Sequence, residues 1–204
     1  MKVIALTGSI GMGKTTAASL FRRRGVPVYD ADRAVHKLSE KGGRAVPAIA
    51  RAFPDAVKDG AVDRKALGAL VFNNPKALKK LESILHPLVA EERTEFLRRQ
   101  QARRRPVVVL DIPLLFETGC EGEVDAILLV TAPEAVQKGR LAERPGMTDD
   151  KLAAIIAKQM PDAEKRHRAD IIFDTSFGHD AAARQVRELI DAIRGGRLKA
   201  RHHA

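Results

Sequence analysis

The chain has 204 residues, 45% hydrophobic and 30% charged, which suits one α/β domain carrying an insertion and a sizeable core. No apolar run approaches the ~18 residues of a membrane helix, and one lysine precedes the first apolar strand, so neither membrane association nor a signal peptide is expected. A single cysteine, Cys120, excludes an internal disulfide and points to the cytoplasm, while a net charge of +10 with one Tyr and no Trp suits polyphosphate ligands better than a base-stacking nucleic-acid surface, so no nucleic acid is expected as partner.

In chain order, Lys2 to Leu6 reads as a short buried strand. It runs into Gly8-Ser9-Ile10-Gly11-Met12-Gly13-Lys14-Thr15, the P-loop pattern of glycine, four free positions, glycine, lysine and a hydroxyl residue. Ala17, Leu20 and Phe21 then fall at helical spacing, which predicts a helix from near Gly13. Gly8, Gly11 and Gly13 allow backbone N–H groups to approach a phosphate, and the helix N-terminus adds its positive end. Lys14 is placed to reach the β- and γ-phosphates, and the Thr15 hydroxyl to ligate Mg²⁺. A nucleoside triphosphate is therefore the expected ligand.

Arg22 to Arg24 close the helix before Gly25. Val26 to Tyr29 reads as the second strand, with Asp30-Ala31-Asp32 at its carboxyl end, the edge where open parallel sheets bind ligands. Asp32 reads either as the cap of a helix from Arg33 or as a chemical group. Residues 33 to about 105 read as helical with no strand. They include helices at Arg44–Phe53 and Arg64–Phe72, and a Leu78, Leu81, Leu85, Leu88 stripe interrupted by His86-Pro87. Proline removes a helical hydrogen bond, so two helices meeting at Pro87 are expected, and His86 is either structural or a ligand residue. This block looks like a substrate-binding module.

Val107 to Leu110 predicts a third strand, ending at Asp111 in a Walker-B-like position for Mg²⁺. The apolar stretch Ile112 to Phe116 reads as core or as a pocket wall. Ala126 to Val130 is the fourth strand, and Pro133 opens a helix bearing Arg140 that stops at Arg144-Pro145-Gly146. A further helix from Thr148 carries Leu152, Ile155 and Ile156, with Gln159 on the same face and in need of a partner. The two helices would form a lid whose arginines close on the transferring phosphate. Ala169 to Phe173 is the fifth strand, and a last helix striped by Val186, Leu189, Ile190 and Ile193 ends at Gly195-Gly196. The basic residues from Arg197 onward are expected to be mobile.

Taken together, these motifs resemble the dephospho-CoA kinase family across nearly the whole chain. The resemblance rests on the P-loop, Asp30-Ala31-Asp32, Leu85-His86-Pro87-Leu88-Val89, Asp111-Ile-Pro-Leu-Leu-Phe-Glu117, Arg140 with Arg144, Gln159, Lys165 and Ala169-Asp170. The P-loop is shared by a vast superfamily, whereas the other stretches in this order are far more specific. The resemblance implies ATP-dependent phosphorylation of the ribose 3′-hydroxyl of dephospho-CoA. It implies an α/β fold: a three-layer α/β/α P-loop kinase core with a five-stranded parallel sheet, a helical substrate-binding insertion and a short helical lid. The expected division is 1–31 with 106–196 for the core, the lid at about 138–160, 32–105 for the CoA-substrate domain, and 197–204 for a basic tail. By motif position Asp32 corresponds to the catalytic base, Gly11 to Thr16 to the ATP phosphate loop, and Arg140 to an arginine contacting phosphate from the lid side. With Lys14 these form the expected catalytic set; His86, Arg144 and Gln159 join Asp32 on the substrate side, and Thr15 and Asp111 at Mg²⁺. The chain departs from the family at Met12, where a small serine is common and only backbone is needed, and at Asp174-Thr175, where an asparagine is common, which bears on adenine contacts. A monomer or weak homo-oligomer is expected. The residues alone also admit a nucleoside monophosphate kinase or a regulatory NTPase, although the guanine-reading Asn-Lys-x-Asp motif is absent.

Overall fold

The computed structural model describes residues 1–72, 74–143, 155–156 and 159–198. Its strands are β1 (Lys2–Thr7), β2 (Val28–Asp30), β3 (Val57–Lys58), β4 (Ala61–Val62), β5 (Val107–Asp111), β6 (Ala126–Thr131) and β7 (Ile171–Asp174). Five of them form one parallel sheet in the order β2-β5-β1-β6-β7. Strands β5 and β6 are buried along their whole length, as their unbroken Val/Ile/Leu runs require of a sheet covered on both faces.

Side chains alternate across that sheet. Ile4, Leu6, Val109, Leu128 and Val130 enter one core with Phe21, Val186 and Ile190, while Ala5, Ile127 and Leu129 enter another with Leu115, Phe116 and Ala169. Leu115 and Phe116 of the apolar stretch after Asp111 are thus core, whereas Leu114 stays exposed.

The helices are α1 (Lys14–Arg23), α2 (Ala31–Ser39), α3 (Val46–Ala52), α4 (Arg64–Val71), α5 (Pro75–Ala102), α6 (Glu134–Ala142), α7 (Asp162–Arg168) and α8 (Gly178–Arg194). The chain divides into two compact units, Met1–Tyr29 with Gln100–Ala204, and Asp30–Arg99. The second unit has its own core, built from Leu38, Ile49, Phe53, Val62, Leu67 and Leu81.

Three local expectations are corrected. The insertion is not free of strands: β3 and β4 pair as an antiparallel hairpin. Its turn is Asp59-Gly60, both at positive φ (52° and 77°), the backbone that a two-residue hairpin of right-handed twist demands. Pro87 does not divide two helices but lies inside α5. An interior proline costs roughly 3 kcal/mol. Leu81, Ile84, Leu85 and Leu88 lie on both sides of it and pack into one core. Leu81 is buried and the other three are partly buried, so with full burial worth roughly 1.5–3 kcal/mol per such side chain, their sum offsets that cost. Finally, α2 starts at Ala31, and its cap is Asp30, whose Oδ1 accepts from Arg33 N at 2.9 Å. Asp32 sits in the first turn.

Of the helix expected from Thr148, residues 148–154 and 157–158 lie outside the described residues, as does the Arg144 turn. Leu198 packs against the first core, and residues 199–204 also lie outside the described residues.

Candidate active site

β1 delivers the chain at Thr7 into residues 8–13, and α1 begins directly after them. Two glycines there are required by geometry. A Cβ on Gly8 would lie 2.5 Å from Val130 Cγ2 and 2.6 Å from Val130 O, so β6 packs against bare backbone. Gly13 caps α1 at φ 89°, in the left-handed region, with the Thr175 side chain filling the space beside it. No side chain caps the first turn of α1, and no acidic residue lies in it. Thr15 and Thr16 are exposed there. A helix start built this way offers N–H donors and a positive dipole end to an anion.

Lys14 Nζ donates to Asp111 Oδ1 at 2.5 Å. Asp111 ends β5, whose register with β1 places it opposite Leu6, and it is only 4% exposed. The two residues expected to serve phosphate and metal are therefore in contact. Among the described residues no group of three or more His, Cys, Asp or Glu side chains is gathered for a metal. One carboxylate and the Thr15 hydroxyl fit Mg²⁺ all the same, since that ion keeps several waters and takes most of its ligands from substrate phosphates.

Most of the polar side chains around the loop hold its backbone. Gln137 Nε2 donates to Ile10 O at 2.6 Å, and Ile10 N donates to Gln159 Oε1 at 3.3 Å. Arg140, on α6, donates to Gly11 O at 3.3 Å, to Thr175 Oγ1 at 2.9 Å and to Thr175 O at 2.7 Å. The Thr175 hydroxyl lies 2.9 Å from Met12 O, and the Ala132 amide meets Met12 Sδ at 3.1 Å. Met12 thus has a use for its side chain as well as its backbone. Lys165, wholly buried, donates to Ser9 Oγ at 3.2 Å and pairs with Glu117 Oε1 at 3.0 Å.

Charge around this assembly is compensated. Burial alone would raise the Glu117 carboxyl. The Met160 amide, its own amide and the Lys165 ammonium outweigh that and hold it below the ordinary glutamate value. The Asp174 carboxyl is lowered by the Ser176 hydroxyl and amide, with Arg166 and Arg140 adding to the effect.

Of the residues named from sequence, Gly8 to Thr16, Asp111, Arg140 and Gln159 converge on one loop. Asp32 and His86 belong to the Asp30–Arg99 unit, both exposed. Arg144 is outside the described residues. Sequence reasoning passed over Gln137 and gave Lys165 no role. Helix α7 reads Asp-Ala-Glu-Lys-Arg-His-Arg and has no apolar stripe to reveal it. Its start after Pro161, acids in the first turn and cations in the last were the available signal.

The family model described as Dephospho-CoA kinase matches residues 2–186. A dephospho-CoA kinase from Mesorhizobium japonicum is 53% identical over 197 residues, covering 97% of this chain and 99% of its own. A crystal structure from Thermus thermophilus superposes with a TM-score of 0.84 at 38% identity, covering 94% of this chain and 96% of that one. The dephospho-CoA kinase from Campylobacter jejuni gives 0.72 at 25% identity, with 96% and 98% covered. The phosphate loop, the Lys14–Asp111 pair and the buried Lys165–Glu117 pair are thus features of a chain that belongs to the dephospho-CoA kinase family.

Proposed function

We propose that this protein transfers the γ-phosphoryl group of ATP to the ribose 3′-hydroxyl of dephospho-CoA, forming CoA and ADP in the final step of CoA biosynthesis. The observation that carries the reading is the Lys14–Asp111 pair at the mouth of an uncapped, braced phosphate loop, in a chain of this family. Phosphoryl transfer depends on positioning and charge neutralisation more than on covalent chemistry. The N–H groups of Gly11 to Thr16 and the Lys14 ammonium hold the phosphates. Thr15 and Asp111 would hold Mg²⁺, which when bound neutralises charge on the β- and γ-oxygens.

Asp32, an exposed carboxylate two residues past the end of β2, orients and deprotonates the acceptor hydroxyl. The Asp30–Arg99 unit binds the acceptor, with His86 among its contacts. Arg140 acts through the loop it braces, and Arg144 and Gln159 complete the phosphate and substrate side. The enzyme works in the cytoplasm as a monomer or weak homo-oligomer.

The test is ADP release with ATP and Mg²⁺ against dephospho-CoA, AMP, CMP and UMP. Turnover with dephospho-CoA alone is expected; preference for a nucleoside monophosphate would overturn the acceptor assignment.

A further inference from the structure

Lys165 is an unusual use of a lysine. Its side chain is 0% exposed and lies on a short, strongly charged helix of which it is the buried residue. Burying an ammonium costs several kcal/mol unless it is paired and hydrogen-bonded, and an apolar side chain of like volume is often as stable in such a place. Core packing alone therefore does not account for it. What the ammonium adds is reach and donors. It meets Glu117 Oε1 at 3.0 Å and Ser9 Oγ at 3.2 Å. Glu117 is itself fixed, because its Oε1 accepts from Met160 N at 2.8 Å. The neighbouring Gln159 accepts from the Ile10 amide. The chain of contacts Met160–Glu117–Lys165–Ser9 thus ends on the second residue of the phosphate loop, beside Ile10, whose N–H donates to Gln159 and whose C=O accepts from Gln137.

We infer that Lys165 is a positioning residue for ATP, with Glu117 as its counter-ion: it holds Ser9 so that the following amides stand ready for the phosphates. A loop fixed before binding avoids reorganisation when the anion arrives. Lys165 touches neither substrate in this account and acts through Ser9.

The inference rests on the kinase reading, and wild-type turnover measured in parallel separates the two: failure of that reading shows in the wild type, failure of the inference only in variants. The experiment is steady-state kinetics on Lys165→Met, Ser9→Ala and the double variant. A hydrogen bond to a charged group, once lost, is expected to raise KM for ATP about tenfold. KM for dephospho-CoA should stay within about twofold, since no contact of that kind is removed. The double variant should be no worse than the worse single one, because both act through one contact. Ser9→Ala keeps the buried ion pair and so serves even if Lys165→Met does not fold. An unchanged KM for ATP in Ser9→Ala, or multiplying effects in the double variant, overturns the inference. So does a Lys165→Met enzyme that loses thermal stability alone.

Discussion

Lys14 Nζ and Asp111 Oδ1 stand 2.5 Å apart, joining the start of α1 to the end of β5. The pair ties the lysine of the loop to the carboxylate proposed above to hold Mg²⁺. Asp111→Asn keeps the shape but removes the charge. Loss of a metal-holding carboxylate is expected to lower kcat roughly hundredfold at a fixed Mg²⁺ concentration, and to raise the Mg²⁺ needed for half-maximal rate. A Mg²⁺ titration of initial rates checks both. An unaltered half-saturation point would remove Asp111 from the metal site.

The two aspartates at the end of β2 and just past it stand in different settings. Asp30 Oδ1 accepts from Arg33 N and caps α2, and asparagine serves equally at such a position. Asp32 is exposed two residues further on. Asp32→Asn is therefore expected to keep ATP binding and lose about 10²–10⁴-fold in transfer rate, the usual worth of a general base. Asp30→Asn should fold with wild-type stability, while Asp30→Ala should lose about 1 kcal/mol. Calorimetric ATP binding beside single-turnover transfer checks the first; thermal melts check the second. Wild-type-like turnover by Asp32→Asn sinks the base assignment.

These residues also show what the sequence can and cannot reveal. All five sheet strands were legible as short apolar stretches, unbroken and fully buried in β5 and β6 though only partly buried at the edges β2 and β7, and the loop because its glycines follow from contacts such as Gly8 against Val130. Pro87 misled because a local rule about one hydrogen bond gave way to a stripe that packs on both sides of it. The hairpin at Asp59-Gly60 was missed because strands of two residues carry no periodicity, though the Asp-Gly pair was a turn signal. Lys165 and Gln137 could not be ranked, since their value lies in reaching residues 156 and 127 positions away.

Gly8→Ala tests the close approach of β6. The added methyl would meet both Val130 Cγ2 and Val130 O, and the backbone oxygen cannot step aside as a flexible side chain could. Overpacking of this kind is expected to cost about 1–3 kcal/mol and to distort the loop. Chemical denaturation should show a lowered midpoint together with weaker ATP binding. An alanine variant matching the wild type in both would contradict the packing described.

The Glu117 carboxyl gives a pH-dependent prediction. Its folded value lies below the ordinary 4.5 because the Met160 amide, its own amide and Lys165 outweigh burial. A carboxyl lowered on folding stabilises fully above its unfolded value, and that contribution disappears as pH falls through the folded one. The melting-temperature advantage of the wild type over Glu117→Gln should therefore be constant from neutral pH down to the ordinary glutamate range. It should shrink in more acid solution. An advantage that grows on acidification would reverse the sign assigned to the pair.

His86-Pro87 offers the sharpest separation of stability from use. Both residues are exposed in the interior of α5, where Pro87 has no N–H to give the Ser83 carbonyl. Replacing a helix-interior proline with alanine recovers up to about 3 kcal/mol. Pro87→Ala should therefore raise the melting temperature of the protein. If the pair shapes the acceptor-binding unit, the same variant should raise KM for dephospho-CoA and leave KM for ATP unchanged, and His86→Ala should do likewise without stabilising the fold. A stabilised Pro87→Ala enzyme with wild-type KM for dephospho-CoA would make Pro87 a tolerated residue of the helix and count against a substrate role for the pair.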